Sequence, residues 1–180
     1  GDLCVTEADL KRNGIALFYA ERGGRATCHA PGQLVLYPIV ALPGPDVHRF
    51  VQTFLSAVAQ VLESYGLAPA FKAKIPGLWV NGRKIASIGL SVKKQVTFHG
   101  LALNVNNDLS LFHAIVPCGH SGEVMTSMAA EMGSTVDASG VKERVANAFA
   151  EHFDYHVAPK QRHPLWLILP SHQSETGADT

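Results

Sequence analysis

The sequence predicts an α+β fold with a mixed, largely antiparallel sheet flanked by helices. Strand-like and helical segments follow one another without the regular strand-helix-strand period of a doubly wound fold. The pair Asn81-Gly82 lies between two short apolar runs and is the strongest local indication of a hairpin. Residues 46–65 carry apolar side chains at the spacing of an amphipathic helix.

The first part of the chain is expected to contain one helix and two strands. Thr6 and Asp9 have the spacing of a capping box, which predicts a helix that begins after Thr6. Residues 15–19 form an apolar run typical of a buried strand. Residues 34–40 predict a second strand, and Pro38 places it near a sheet edge or a bulge.

The hairpin at Asn81-Gly82 positions a lysine. Residues 78–80 and 85–88 are its two strands, so Lys84 should lie just past the turn on the second strand. Residues 97–105 alternate like a further strand. Helices are expected at 46–65, 123–132 and 141–153.

Composition limits the possible partners and compartments. The 180 residues are 47% hydrophobic and carry 15 basic and 15 acidic side chains, so no overall charge recruits nucleic acid or a membrane surface. No apolar run reaches the length of a membrane span, and three cysteines without framework spacing predict a reducing cytoplasm. We expect one domain over residues 1–169 and a disordered polar tail over 170–180.

Cys118 is the candidate nucleophile. It is flanked by Pro117 and Gly119, and such a turn can present a thiol to a substrate. The reactive form is the thiolate, so a nearby cation or base must assist. Lys84 could supply a charge that lowers the pKa of the thiol. Alternatively, His29 or His99 could act as a general base, and sequence separation does not decide between these partners.

A glycine-rich segment at 22–33 is the second candidate site. It lacks the pattern of a Walker A loop and of a dinucleotide-binding fingerprint, but its glycines allow close backbone approach to a phosphate or a polar carbonyl. The nine histidines do not form the closely spaced pairs of zinc sites, so no metal is expected.

Four segments occur in an order that carries a family resemblance. They are Arg-Gly-Gly-x-x-Thr-x-His-x-Pro-Gly-Gln at 22–33, Gly-x-Lys-Ile-Ala-Ser-Ile-Gly at 82–89, His-Gly-Leu-Ala-Leu-Asn-Val at 99–105 and Pro-Cys-Gly at 117–119. Together they resemble the octanoyl-acyl carrier protein:protein N-octanoyltransferases, the LipB family. The resemblance implies the catalytic fold shared with biotin and lipoate protein ligases.

The resemblance also implies a cysteine/lysine acyltransferase mechanism. Cys118 would accept octanoyl from the carrier-protein thioester, and Lys84 would lower its pKa and could later act as a base for the incoming amine. The implied substrate-binding residues are Arg22, Gly23, Gly24, Arg25, Ala26, Thr27, Cys28, His29, Ser87, Ile88, Gly89, Gly100, Leu101 and Ala102.

The implied partners are octanoyl-acyl carrier protein as donor, and as acceptors the lipoyl domains of 2-oxoacid dehydrogenase E2 subunits and the glycine cleavage H protein. The implied route requires neither ATP nor a cofactor. The alternatives are an ATP-dependent lipoate or biotin protein ligase on the related fold, or an inactive module that binds carrier protein.

Two features set this chain apart from the family pattern. Cys28 and Ala30 replace the family's usual aromatic residue and glycine, and the family's usual strand segment upstream of Gly1 is expected to be absent.

Overall fold

The computed structural model describes residues 3–22, 24, 26–42, 44, 46–73, 75–115 and 124–155. Within these residues, one antiparallel sheet has the strand order β1-β5-β4-β3-β2. The strands are β1 (Gln33–Leu36), β2 (Ala70–Lys72), β3 (Ile75–Val80), β4 (Arg83–Lys93) and β5 (Val96–Asn104). The helices are α1 (Glu7–Arg12), α2 (Val47–Ser64), α3 (Met128–Met132) and α4 (Ala138–His152), with a 3₁₀ helix at Ser110–Ala114. This architecture confirms the predicted α+β class.

The two long helices cover the core. Asp46 caps α2 by accepting a hydrogen bond from the Arg49 backbone, and Asp137 caps α4 in the same way. Phe50 and Phe54 of α2 contact Phe149 of α4 with ring centroids 6.3 and 5.2 Å apart. Beneath them lie fully buried strand residues, including Leu78, Ile85 and Leu103. The predicted helices at 46–65 and 141–153 are therefore confirmed, and their apolar faces share one core with the strands.

The hairpin is formed as the sequence predicts. Asn81 and Gly82 have φ angles of 50° and 77°, the left-handed conformations that a tight two-residue turn requires. Val80 pairs with Arg83, and Trp79 pairs with Lys84. Lys84 accordingly lies on β4 just past the turn. Two other local predictions are also confirmed. Thr6 and Asp9 form the capping box of α1, and β5 covers most of residues 97–105.

The predicted buried strand at 15–19 is wrong. These residues have no strand conformation, and Leu17, Phe18 and Tyr19 are 39%, 84% and 89% exposed. An apolar run becomes a strand only where a neighbouring strand accepts its backbone hydrogen bonds. In the described part of the chain, none of the sheet strands pairs with this segment.

The predicted strand at 34–40 is shorter than expected, and Pro38 explains where it ends. β1 stops at Leu36 and is an edge strand, as the proline predicted. Pro38 has no N–H to donate to a ladder. Beyond it the Thr97 hydroxyl takes over part of the pairing, since it donates to the Pro38 carbonyl at 2.7 Å and accepts from the Val40 N–H at 3.1 Å.

The predicted helix at 123–132 is correct only in its second half, α3. Residues 124–126 instead run alongside β4, where the Lys84 N–H donates to the Val124 carbonyl and the Thr126 N–H donates to the Lys84 carbonyl, both at 2.8 Å. β5 ends at Asn104, whose predecessor Leu103 pairs with Ala86, so the β4 backbone at Lys84 is open on that side and takes this segment as its partner. Residues 156–180, including the predicted tail, lie outside the described residues. Over the described part of the chain, every helix is too short or too polar to cross a membrane.

Candidate active site

A cleft lies where β4 and β5 pair. Three cross-strand pairs line it: Ser87 with Ala102, Ile88 with Leu101, and Gly89 with Gly100. Its volume is about 170 Å³. Residues directly opposite each other on antiparallel strands meet on the same region of the sheet, which is why two motifs separated in sequence form one wall. The structure therefore brings together all six residues that the sequence assigned to these strands.

The glycine-rich segment forms the opposite side of the cleft. Arg22, Gly24, Thr27 and His29 line it, and the same four residues also line an adjoining groove of about 1180 Å³. Two more of the residues assigned to this segment, Ala26 and Cys28, line the groove and not the cleft. Gly23 and Arg25 lie outside the described residues.

Lys84 extends from β4 into this cleft and is fully buried. Its Nζ lies 4.8 Å from the centroid of the Trp79 ring, the side chain paired with it across the hairpin. The ring face is the negative end of its quadrupole, so it attracts the ammonium group by about 1–2 kcal/mol in a desolvated site. Burial under an indole ring fixes the lysine amine at the cleft instead of leaving it in solvent.

Gly77 makes room for the Lys84 side chain. Its φ is 149°, and a Cβ at this position would lie 2.8 Å from Lys84 Cε and 2.7 Å from the Ala86 carbonyl oxygen. Both distances are too short for a methyl group. The packing of Lys84 against the sheet therefore depends on the absence of a side chain on β3.

Gly77→Ala should lower the free energy of unfolding by about 2–4 kcal/mol and displace the Lys84 amine, because both overpacking and the positive φ oppose the methyl group. The matched control is Gly82→Ala on the same hairpin, since Gly82 also has a positive φ but no atom within 4 Å of its Cβ position. That variant should lose about 1 kcal/mol. Urea unfolding followed by circular dichroism measures both. Equal losses would mean that crowding against Lys84 is not important.

Glu131 anchors the segment that pairs with Lys84. Its side chain is 2% exposed and accepts hydrogen bonds from Thr126 at 2.5 Å and Asn81 at 2.9 Å, and it forms an ion pair with Arg83 at 2.9 Å. Burial raises the pKa of Glu131, but the hydrogen bonds from Thr126 and Asn81 and the charge of Arg83 outweigh burial and hold the pKa below its ordinary value. The ionised carboxylate thus ties α3, the 124–126 segment and the hairpin together around Lys84.

Close backbone approach accounts for Gly100. A Cβ there would lie 2.1 Å from the Leu36 carbonyl oxygen, so only glycine lets β1 approach this part of β5. Ala30, where the resemblance implies a glycine, does not have a positive φ. Its backbone conformation is therefore open to residues other than glycine.

The three cysteines differ in what the structure shows. Cys118, with the Pro-Cys-Gly segment, lies outside the described residues. Burial raises the pKa of the half-buried Cys28 thiol, which disfavours the thiolate there, and Cys4 is exposed at a distance in sequence from every motif. Among the described residues no three His, Cys, Asp or Glu side chains are arranged to hold a metal ion.

The cleft contains residues that sequence reasoning did not assign to it. Tyr37, Ile75 and Pro76 line it, as does His99, which the sequence offered only as a possible base. Ile75 and Pro76 follow from the hairpin register, since Gly77 pairs with Ser87 and the two preceding residues therefore lie opposite the 88–89 backbone. Tyr37 carries no such signal. It reaches the cleft by making an edge contact with the His99 ring, with centroids 5.9 Å apart.

Comparison with known proteins identifies the family of this chain. Residues 2–150 match the family described as the lipoyl protein ligase A/B catalytic domain. The chain is 41% identical over 159 residues to an octanoyltransferase of Thermoanaerobacter sp. (strain X514), covering 87% of this chain and 69% of that protein. It is 40% identical over 161 residues to an octanoyltransferase of Myxococcus xanthus, where it covers 85% of this chain and spans 45% of the relative.

The fold agrees with these matches. The crystal structure of lipoate-protein ligase A bound with ATP superposes with a TM-score of 0.73 over 87% of this chain and 66% of that one, at 21% identity. At this identity the likeness concerns the fold alone. The sequence matches, however, extend across both strands of the cleft and the glycine-rich segment. The chain therefore belongs to the lipoyl protein ligase A/B catalytic domain family, and within it to the octanoyltransferases.

Proposed function

We propose that this chain transfers an octanoyl group from octanoyl-acyl carrier protein, through a thioester on Cys118, to the lysine amine of a lipoyl domain. The observation that carries the proposal is the buried Lys84 amine in a cleft whose walls are the two motif-bearing strands. The relatives are named octanoyltransferases, and this name indicates which acyl group is transferred and the class of reaction. The acceptors would be lipoyl domains of 2-oxoacid dehydrogenase E2 subunits and the glycine cleavage H protein.

The first half of the reaction exchanges one thioester for another. The Cys118 thiolate attacks the octanoyl carbonyl, and the carrier-protein thiol leaves with the electron pair of its C–S bond. Lys84 contributes a positive charge that favours the thiolate, because an opposite charge within about 4–6 Å lowers a thiol pKa. No phosphate bond is consumed, since the energy of the donor thioester is conserved in the acyl-enzyme.

Chain connectivity is compatible with this pairing of Cys118 and Lys84. Val124, whose carbonyl accepts the Lys84 N–H, follows Cys118 by six residues. Six residues reach at most about 20 Å when fully extended. The chain that follows Cys118 is thus hydrogen-bonded at Val124 to Lys84 of β4. Glu131 stabilises this pairing by accepting a hydrogen bond from Thr126.

The acyl chain would occupy the cleft and extend into the adjoining groove. A volume of about 170 Å³ is close to the roughly 150 Å³ of a protein cavity that holds benzene, which is smaller than an eight-carbon chain. The groove shares Tyr37, His99 and four residues of the glycine-rich segment with the cleft and includes the exposed side chains of Leu17 and Phe18. These apolar groups offer the remaining methylenes a surface away from water.

A test of the proposal compares acyl donors. The chain is mixed with an isolated lipoyl domain and either octanoyl-acyl carrier protein without ATP or free octanoate with ATP and Mg²⁺, and intact mass measures octanoylation of the domain. The proposal predicts transfer from the carrier protein without ATP. Transfer only from octanoate with ATP would establish the ligase alternative instead, and carrier-protein binding with no transfer under either condition would establish the inactive module.

A further inference from the structure

A chain of hydrogen bonds runs from the exposed His29 to the buried backbone that pairs with Lys84. His29 Nδ1 lies 2.8 Å from Gln33 Oε1, Gln33 Nε2 lies 2.8 Å from Asn104 Oδ1, and Asn104 Nδ2 lies 2.9 Å from the Thr126 carbonyl oxygen. Gln33 and Asn104 are direct cross-strand partners of β1 and β5, which brings their amides together. Both residues belong to the family motifs, but the proposed mechanism gives neither a role.

The direction of this chain is determined from its buried end. The Thr126 carbonyl can only accept, so the Asn104 atom facing it must be the amide nitrogen. The Asn104 side chain is 1% exposed, which makes a reversed amide with an acceptor against an acceptor costly. Asn104 Oδ1 then accepts from two donors, Gln33 Nε2 and, at 3.2 Å, Asn107 Nδ2.

The Gln33 amide is oriented by two acceptors at once. Its nitrogen faces Asn104 Oδ1 and also the Cys28 carbonyl oxygen at 3.3 Å. Turning the amide over would place its oxygen against both acceptors, so the orientation is doubly determined. Gln33 Oε1 therefore faces His29 and requires a donor there. His29 Nδ1 therefore carries the hydrogen that it donates to Gln33 Oε1. In the neutral ring, Nε2 is then the unprotonated acceptor.

Accessibility separates His29 from Lys84. Lys84 is fully buried beneath Trp79, whereas His29 is exposed and lines both the cleft and the groove. An acceptor lysine arrives on the surface of another protein, so the group that receives its proton must be reachable from solvent. Of the cleft's other imidazole, His99, the described residues show only ring contacts, with Tyr37 and Phe98.

We propose that His29 is the general base of the second half-reaction, with its Nε2 lone pair presented by the Gln33-Asn104 relay. This inference rests on the proposed octanoyl transfer. A neutral acceptor amine attacks the octanoyl carbonyl on Cys118, and a C–N bond forms. The C–S bond breaks and its electron pair leaves on the Cys118 thiolate, while the proton lost by the nitrogen passes to His29 Nε2. The products are the amide, a thiolate and an imidazolium, so charge and atoms balance. Gln33 and Asn104 act as positioning residues.

The tautomer is tested by NMR of protein labelled with ¹⁵N-histidine, with His29→Ala identifying the His29 signals. The inference predicts that neutral His29 carries its hydrogen on Nδ1, and that Gln33→Ala shifts the population toward the Nε2–H form. A wild-type ring with hydrogen on Nε2 would overturn the relay whether or not the Gln33 variant folds.

The catalytic role is tested by timing the two half-reactions separately. His29→Ala should slow transfer from the octanoyl-enzyme to a lipoyl domain by about 10²-fold or more, and should slow formation of the octanoyl-enzyme from octanoyl-acyl carrier protein much less. The first control is His48→Ala, which changes an exposed histidine of α2 and should leave both steps unchanged. The second control is His99→Ala, which should not reproduce the loss in the second step. An unaffected second step in His29→Ala, or a loss found in His99→Ala instead, would overturn the role of His29. Failure of wild-type protein to form an acyl-enzyme at all would instead contradict the proposed function.

Discussion

Lys84→Met is expected to reduce octanoyl transfer by about 10²–10⁴-fold in a variant that remains folded. Methionine retains most of the volume that Lys84 fills between Gly77 and Trp79, so packing is largely preserved. It removes the charge that is proposed to favour the Cys118 thiolate. The loss of transfer should therefore exceed what any change in the free energy of unfolding could cause. Transfer is measured by intact mass and stability by urea unfolding.

The same variant should change the reactivity of Cys118 with pH. A cation beside a thiol favours the thiolate, so Lys84 is proposed to lower the pKa of Cys118. Removing the Lys84 charge should therefore raise the pH midpoint of Cys118 alkylation by about 1–2 units. The experiment uses a background with Cys4→Ser and Cys28→Ala, so that only one thiol reacts. An unchanged midpoint in Lys84→Met, with the shift appearing in His29→Ala, would contradict the cysteine/lysine pairing and support a cysteine/histidine pair.

Cys118→Ser is expected to abolish the acyl-enzyme and to reduce turnover by about 10³-fold or more, because a hydroxyl is much harder to ionise than a thiol. The matched controls are the other two cysteines. Cys28→Ala should still form the octanoyl adduct on Cys118, since burial raises the pKa of the Cys28 thiol and disfavours its thiolate. Cys4→Ser changes an exposed residue outside the cleft and should form the adduct as well. A hydroxylamine-sensitive octanoyl adduct that persists in Cys118→Ser would identify a different nucleophile.

Local signals in the sequence predict much of the fold. The Asn81-Gly82 turn needs left-handed backbone at both positions, which few other pairs accept, and it fixes Lys84 next to Trp79. The helix α2 follows from one apolar face with a cap at each end. Once the hairpin and β5 are recognised, the pairing of 87–89 with 100–102 brings the two motifs together.

Features that depend on a distant partner could not be predicted in this way. Residues 15–19 have strand composition but pair with no strand in the described part of the chain. Residues 124–126 hydrogen-bond to the β4 backbone at Lys84 instead of joining the expected helix. The relay from His29 to Thr126 combines contacts separated by 71 and 22 residues. No local propensity encodes such a chain, since each of its members is an ordinary polar residue until the sheet sets them side by side.

Chemical competence of the acyl-enzyme tests the central claim most directly. Protein treated with octanoyl-acyl carrier protein is separated from the donor, and peptide mass spectrometry locates the octanoyl group before and after a lipoyl domain is added without ATP. The account predicts one octanoyl group on Cys118, which then disappears as the same amount appears on the lysine of the domain. An adduct on another residue, or one on Cys118 that the lipoyl domain does not discharge, would contradict it.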